Sequence, residues 1–408
     1  MEFTGQETSV PHSYRFLLLV SCAIGFASYV TSYMRIPVVP LYALNLGAGA
    51  VMVGLINSAF LLTSGVFSFP FGLLADRWGR KLVVTAGLLI SAATALLLAV
   101  SVAPWQLLLI YLFFGLGLAA IGPTLMAYVA DLSPPSHLGS SYGAYTLSIY
   151  SGMSLGPALG GWVADWLGFR LLFVVTAGLV SLVILLAVGF LPGSPGAARP
   201  TSSGFDHKSS WRRLWPNRAL MGCWLITFGG CLGLGVFITF APLYTMEQGL
   251  SVGQIGLVFG VQAAVNAISR IPFGRVSDRL RRRWVQAVLG FLGLGAALAG
   301  FGLAHSLPQF LGAAGALGLA MSLGFTPVGA LIAEVVPPAD RGLAMGGYNT
   351  CIYLGMMLSS AVMGGVIRWI GFKGSFALAG LLVALSTGVF YVLIRDFSGT
   401  NFSSRPHV

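Results

Sequence analysis

Two arginines stand inside long apolar stretches of this sequence, where charged side chains are rare. Arg35 lies about two-thirds along the first stretch, and Arg270 lies four residues before Gly274 in the eighth. In a bilayer a mid-span arginine costs ~2.5 kcal/mol or more on insertion scales, so such residues suggest a function. A guanidinium can hold a carboxylate or phosphate through paired hydrogen bonds. We therefore expect both arginines to bind an anionic substrate. The alternatives are that Arg270 reaches toward water and is only structural, and that Arg35 serves an outside gate and not the substrate site.

Other polar side chains in the apolar stretches are candidates to line a cavity. Asn266 precedes Arg270 by one helical turn and shares its face. Taken singly, such groups are more often interhelical hydrogen-bond or packing residues than ligand contacts. The remaining candidate substrate-binding residues are Tyr33, Asn57, Tyr111, Tyr145, Gln262, Tyr348 and Asn349, and Tyr29 and Tyr353 are further polar groups of this kind.

The acidic residues and cysteines do not form a site for catalysis or metal binding. The carboxylates near the apolar stretches lie in their loops, so neither an acid/base pair nor an internal proton carrier is visible in the sequence. The four cysteines sit inside apolar runs without CxxC spacing. A nucleotide-binding loop is also missing. We expect no enzyme activity, no cofactor and no metal.

The composition indicates a membrane protein. Of the 408 residues, 56% are hydrophobic and only 8% are charged, against about a quarter charged in soluble proteins. Since a span takes ~20 apolar residues, the apolar runs predict an all-α membrane protein with twelve transmembrane helices. The predicted spans are 16–42, 51–74, 82–103, 105–131, 141–163, 170–191, 218–244, 252–274, 285–304, 308–333, 343–366 and 374–394.

The basic residues predict the orientation of the chain. The net charge is +11 but forms no contiguous basic face, so we expect lipid rather than nucleic acid as the partner. Only Arg170, Arg368 and Lys373 fall in loops opposite the termini, and the excess on the other side predicts cytoplasmic termini. A monomer in a bacterial inner membrane is expected. The terminal side carries Arg15, Arg77, Arg80, Lys81, Arg199, Lys208, Arg212, Arg213, Arg218, Arg275, Arg279, Arg281, Arg282, Arg283, Arg341, Arg395 and Arg405.

The two halves of the chain repeat each other, which indicates duplication of a six-helix unit. Parallel six-span halves enclose a site at mid-membrane in many secondary transporters. The predicted domains are an N-terminal bundle (1–191), a cytoplasmic linker rich in Pro, Gly and Ser (192–217) and a C-terminal bundle (218–408). With offsets of 202 and then 203, Gly72 matches Gly274, Asp76 matches Asp278, Asp131 matches Glu334, Tyr145 matches Tyr348, Tyr150 matches Tyr353 and Gly168 matches Gly371.

The loop after the second span reads Gly72-Leu-Leu-Ala-Asp-Arg-Trp-Gly-Arg-Lys81. It resembles the signature loop of the major facilitator superfamily, and the twelve spans and duplicated halves extend the resemblance over nearly the whole chain. The resemblance implies that this loop forms part of a gate, with Asp131 as a partner. The alternative is a plain topology loop. The gating residues it implies are Gly72, Asp76, Arg77, Gly79, Arg80 and Asp131, with Gly274, Asp278, Arg279 and Glu334 in the second copy.

A glycine and proline motif in the fifth span resembles that of the superfamily's antiporters, especially drug exporters. Its spacing puts small residues on one helix face for close packing. The fourth span departs from proton-driven exporters, since Tyr111 stands where they usually have an arginine. In contrast, the position of Arg270 is similar to that of the arginine in the superfamily's organic-anion transporters. The motif comprises Gly152, Gly156, Pro157, Gly160 and Gly161.

The leading hypothesis is thus a secondary transporter of a small organic solute that works by alternating access. The two intramembrane arginines favour an organic anion, with a proton or counter-substrate as a candidate coupling partner. The fifth-span motif favours the alternative, proton-coupled export of lipophilic or drug-like compounds. A non-transporting membrane sensor is a third interpretation from another class.

Overall fold

The structure is a computed structural model that describes residues 12–192, 214–280, 282–337 and 340–395. All regular elements in these ranges are helical, including a short 3-10 turn at Pro135–His137. Linker positions 193–213 and the basic residues Arg281 and Arg405 lie outside the described ranges. The helices are α1 (His12–Arg35), α2 (Val38–Asn45), α3 (Ala50–Trp78), α4 (Arg80–Val100), α5 (Pro104–Leu132), α6 (Leu138–Phe190), α7 (Arg218–Glu247), α8 (Val252–Arg279), α9 (Arg283–Gly302), α10 (Leu307–Val335) and α11 (Arg341–Arg395).

Ten helices in the described ranges are long and apolar enough to cross a membrane, with α1 and α2 counted together. Helices α6 and α11 have 53 and 55 residues, which at ~1.5 Å per residue is far more than a ~30 Å hydrocarbon core requires. Each leaves helical geometry at one glycine, Gly168 with φ of 80° and Gly371 with φ of 68°. Positive φ favours glycine. These repeat mates stand where the sequence predicts a loop between two spans.

Two predicted boundaries are corrected. The first predicted span, 16–42, is divided into α1 and α2 at Ile36 and Pro37, because proline has no N–H to donate to the carbonyl four residues earlier. Helix α8 continues past the predicted end at Gly274 as far as Arg279. Arginine is a good helix former, so charge marks the edge of the membrane and not the end of the helix.

The halves are residues 12–192 and 214–395, and most helices pack against helices of their own half. Two extensive helix pairs join the halves, α3 with α11 and α6 with α8. Along α3, Gly54 abuts Ser360 of α11, and a Cβ added to Gly65 would lie 2.8 Å from the Cβ of Tyr353. Further along the same face, a Cβ added to Gly72 would have no atom of a neighbouring residue within 4 Å.

The pair α6 and α8 repeats this pattern. Pro157 and Gly161 of α6 abut α8 around Gly256, whereas Gly143 of α6 and Gly274 of α8 meet no atom within 4 Å. The halves are therefore closed together at one end and apart at the other. We call the open end, where α3 ends and α4 begins, the basic end. The closed end is called the opposite end.

Candidate functional site

Arg35 is fully buried inside the first half. Its Nη2 donates to Ser91 Oγ (2.7 Å), its Nη1 donates to Ser91 O and Thr94 Oγ1 (both 3.3 Å), and its Nε donates to Thr31 O at 3.4 Å. The guanidinium carbon lies 4.3 Å from the ring centroid of Phe114, a cation–π arrangement. None of the side chain is accessible to solvent. In this conformation Arg35 ties α1 to α4 and does not reach the space between the halves.

Two of the candidate tyrosines are also enclosed within the first half. Tyr111 is fully buried and packs its ring edge-on against Phe60 and also against Phe114. Tyr145 is fully buried beside Gly25, where an added Cβ would lie 2.8 Å from its ring. Neither hydroxyl has a hydrogen-bond partner among the described residues. These tyrosines support the packing of the bundle and have no free face toward the space between the halves.

Arg270 has a different environment, at the contact between the halves. Its Nε donates to Asn266 Oδ1 at 3.4 Å, and its guanidinium carbon lies 4.5 Å from the ring centroid of Tyr150, which belongs to α6 of the other half. Arg270 is half-buried and Asn266 is buried. Because α8 extends nine residues beyond Arg270, or ~13 Å, the guanidinium lies well below the helix end.

A group of tyrosines surrounds this contact. The rings of Tyr29 and Tyr33 stack with centroids 6.2 Å apart on α1. Tyr29 is close enough to Tyr150 and Tyr353 for their side chains to interact electrostatically. The same holds for Tyr348 and Arg270. All of these tyrosines are partly exposed. The two halves thus contribute a cationic group and several phenol rings to one region at mid-bundle, which we call the central site: Tyr29, Tyr33, Tyr150, Asn266, Arg270, Tyr348 and Tyr353.

The remaining candidate polar residues are divided between this site and its surroundings. Asn349 is exposed and follows Tyr348 in α11. Gln262 is half-buried and donates its Nε2 to Met321 Sδ at 2.9 Å, within the second half. Asn57 is fully buried where the halves meet and donates Nδ2 to Thr239 Oγ1 of the other half at 3.1 Å. Asn57 therefore joins the halves between the central site and the opposite end, and it does not line the site.

Two matching charge clusters lie at the basic end, one in each half. Arg80 Nε lies 2.5 Å from Asp131 Oδ2, and Arg80 Nη2 lies 3.5 Å from Asp76 Oδ1. Between these helices an open groove includes Gly72. Gly79, which joins α3 to α4, has φ of 94°, so the turn requires glycine. The acid and base predicted as gating residues are thus brought together, but within one half.

In the second half, Arg283 takes the place of Arg80. Its Nη1 lies 2.8 Å from Glu334 Oε1, and its Nη2 lies 3.4 Å from Asp278 Oδ1. Arg279, the base expected from the sequence, is exposed, as is Arg77. Sequence reasoning missed Arg283, although the offset of 203 residues from Arg80 could have identified it. The same offset relates Tyr150 to Tyr353 and could have indicated Tyr150 as a site residue.

The glycine motif of α6 packs against two helices. Added Cβ atoms at Gly152 and Gly156 would lie 2.6 and 2.7 Å from Phe26 O and Val30 O of α1, and Gly160 abuts Met34 of the same helix. The other side of the motif, Pro157 and Gly161, abuts α8. The expected close packing is therefore present, and it extends to the contact between the halves.

Comparison with known proteins identifies relatives over almost the full length. The family model described as Major Facilitator Superfamily matches residues 21–252 and 223–407. The inner membrane transport protein YajR of Escherichia coli strain K12 is 27% identical over 86% of this chain and 78% of its own. The staphylopine export protein of Staphylococcus aureus strain Mu50 is 23% identical over 85% of this chain and 88% of its own.

The fold also matches a solved structure. A bacterial homologue of the human lysosomal transporter Spinster, in an inward-facing and unoccupied conformation, aligns with a TM-score of 0.80 and 18% identity over 95% of this chain and 98% of that one. At this identity the match concerns the fold alone.

Proposed function

The chain belongs to the Major Facilitator Superfamily and is a membrane transporter, not an enzyme, and we propose that it carries a small organic anion by alternating access. The observation that supports this substrate class is the placement of Arg270 between the halves. Among the described residues its guanidinium makes one hydrogen bond, from Nε to Asn266. The two Nη groups present the paired donors that suit a carboxylate. The tyrosine rings around them suit an apolar or aromatic body.

Charge removal at Arg270 tests this proposal. The variant Arg270→Gln is expected to bind carboxylates at least about tenfold more weakly, because a hydrogen bond to a charged group contributes ~1.5–3 kcal/mol. The measurement is ligand-induced thermal stabilisation of purified protein with a panel of carboxylates and hydrophobic amines. Counterflow in proteoliposomes then reports transport of the carboxylates that bind.

The matched control is Arg275→Gln, which removes the same charge from an exposed position on α8 and is expected to leave binding unchanged. Carboxylate binding that is equal in Arg270→Gln and in the unaltered protein would overturn the anion proposal. Absence of counterflow for every ligand that binds would favour a sensor.

Export of a lipophilic or drug-like compound is the second candidate function. It is supported by similarity to the staphylopine export protein and by the glycine and proline motif, whose two sides pack α6 against α1 and α8. Stabilisation by hydrophobic amines and not by carboxylates would favour this candidate. A proton and a counter-substrate remain the alternatives for coupling.

The proposed architecture has twelve spans in two pseudo-symmetric six-helix bundles, residues 1–191 and 218–408, joined by a cytoplasmic linker. It follows if α6 and α11 each count as two spans that meet at Gly168 and Gly371, where the backbone leaves helical geometry. We further propose that the basic end is cytoplasmic, as the distribution of arginine and lysine favours. On that assignment the halves are open toward the cytoplasm.

We assign the charge clusters at the basic end to the inner gate. In the open arrangement Arg80 pairs with Asp76 and with Asp131, and among the described residues these ion pairs do not reach the other half. Gly72 leaves space beside them, and so does Gly274 in the second half. When the halves close at this end, the clusters and the small residues would meet the facing helices.

A further inference from the structure

A carboxylate of the first half is hydrogen-bonded to the start of a helix in the second half. Asp165 stands near the end of the first segment of α6, at the opposite end of the bundle. Its Oδ2 accepts a hydrogen bond from Ser251 Oγ and another from the backbone N–H of Gly253, both at 2.7 Å. Ser251 is the residue that precedes α8, and Gly253 is in its first turn.

These bonds complete the cap of α8. The first backbone N–H groups of a helix have no partner within the helix. Ser251 Oγ accepts from the N–H of Gln254 at 3.3 Å, and Gln254 Oε1 accepts from the N–H of Ser251 at 3.0 Å. The N–H of Gly253 is satisfied by Asp165 instead. A negative charge at this position also interacts favourably with the helix dipole.

The close approach depends on the glycine at position 253. A Cβ added there would lie 2.5 Å from Asp165 Oδ2, so any side chain would displace the carboxylate. One to two helical turns before Asp165 in α6, Gly161 and Pro157 contact α8 around Gly256. The capping bonds thus lie at the end of the tightly packed face that holds α6 against α8.

The symmetry-related position has the opposite charge. With the offset of 203, Asp165 corresponds to Arg368 on α11, whose Nη2 would lie 3.7 Å from a Cβ added to Gly49 at the start of α3. In the described part of the chain, helix α3 begins after Gly49 with no side-chain hydrogen bond at its cap. An arginine cannot accept hydrogen bonds from helix N–H groups. The charged cap therefore belongs to the α6 and α8 pair and has no equivalent at the α3 and α11 pair.

We propose that Asp165 is a positioning residue that latches the opposite end shut by capping α8 across the two halves. The proposal rests on alternating access but not on the substrate class. If the halves separate at this end, Ser251 and Gly253 lose their acceptor, so the capping bonds stabilise only the arrangement that is open at the basic end. An interaction present in one of two states shifts the equilibrium between them.

The test measures two distances in purified protein without substrate. Spin labels at Val102 and Ser306, in exposed loops of the two halves at the opposite end, report opening there, and labels at Ser136 and Leu280 report closure of the basic end. The four native cysteines are first replaced by serine or alanine. Asp165→Ala is expected to raise the ratio of outward-open to inward-open molecules about fivefold, the effect of losing a helix cap worth ~1 kcal/mol.

Three further variants make the result specific. Asp165→Asn keeps an acceptor and should give an intermediate shift. Gly253→Ala should shift the ratio like Asp165→Ala while leaving the charge in place. Glu247→Gln removes an exposed carboxylate at the same end and should leave the ratio unchanged. Thermal melting of each variant separates an altered equilibrium from a loss of folding.

The proposal is overturned if Asp165→Ala and Gly253→Ala both leave the ratio within twofold of the unaltered protein, or if Glu247→Gln shifts it equally. Distances that stay fixed even when a transported solute is added would instead contradict alternating access, and so the proposed function itself. Unaltered carboxylate binding in Arg270→Gln would remove the substrate class while leaving the latch intact.

Discussion

The two intramembrane arginines show how one residue type serves two purposes. Arg35 directs its donors to oxygens of Thr31, Ser91 and Thr94 and has no exposed surface. Arg270 makes one hydrogen bond among the described residues and stacks on a tyrosine of the other half. Both are arginines in apolar surroundings, so burial and the number of occupied donors distinguish them. A structural role for Arg35 and a substrate role for Arg270 follow as separate predictions.

Replacement of Arg35 is expected to reduce stability and not ligand affinity. In Arg35→Ala, α1 and α4 lose the hydrogen bonds of the guanidinium and a cavity is left beside Phe114. Large-to-small substitutions of buried side chains typically cost ~2–5 kcal/mol, so the melting temperature should fall markedly. Ligand binding per folded molecule should be unchanged.

The control for this prediction is Arg368→Ala, which removes an exposed arginine at the opposite end and should melt close to the unaltered protein. A variant Arg35→Ala that melts normally but fails to bind carboxylates would return Arg35 to the substrate site, as the sequence suggested.

At the scale of the element, small residues decide how closely α6 approaches its neighbours. Gly152, Gly156 and Gly160 follow one face of α6 at four-residue steps and meet α1 at matching steps, because residues four apart lie above one another on a helix. Gly161 extends the same segment to α8. A single helix thereby joins packing within one half to packing between the halves.

An added methyl group at Gly160 should be destabilising. In Gly160→Ala the new Cβ overlaps the backbone of Met34, and such overpacking typically costs ~1–3 kcal/mol, which exceeds the ~1 kcal/mol that alanine gains over glycine in a helix. Thermal melting in detergent measures the effect.

The matched control is Gly178→Ala in the same helix, where no atom lies within 4 Å of the added group. It should melt at an equal or higher temperature. If both alanine variants behave alike, close packing at the motif does not limit stability.

At the scale of the whole molecule, the halves meet at one end and separate at the other. The opposite end is held by Asn57 with Thr239 and by Asp165 with α8. At the basic end the ion pairs of Asp76 stay within the first half. The charge clusters can therefore contribute to contacts between halves only in the alternative conformation, which is the physical basis for assigning them to a gate.

Neutralising Asp76 should therefore favour the arrangement seen in this structure. Asp76→Asn is expected to reduce the outward-open population by up to about fivefold, because the contact that it removes between the halves would form only when the basic end is closed, and an exposed ion pair contributes ~0.2–1 kcal/mol. The distance between labels at Ser136 and Leu280 measures this population. An unchanged distance distribution together with unchanged transport kinetics would contradict the gating assignment, and Glu247→Gln serves as the charge control.

Much of the fold is predictable from the sequence because the bilayer imposes strong rules on it. Apolar length predicts the spans, and the repeat predicts matched breaks at Gly168 and Gly371. The division of the first span at Pro37 and the extension of α8 to Arg279 were missed. Hydropathy describes where a chain meets lipid, whereas helix ends depend on backbone hydrogen bonds.

The sequence by itself determined the membrane class, the internal repeat and the loop that resembles the signature of the superfamily, since each depends on the order and type of residues along the chain. Only the tertiary structure decided that Arg35 is enclosed while Arg270 meets Tyr150, that Arg283 and not Arg279 pairs with Asp278, and that Asp165 caps α8. These outcomes depend on which faces of distant helices meet, and side-chain periodicity within one helix does not specify its partner in another.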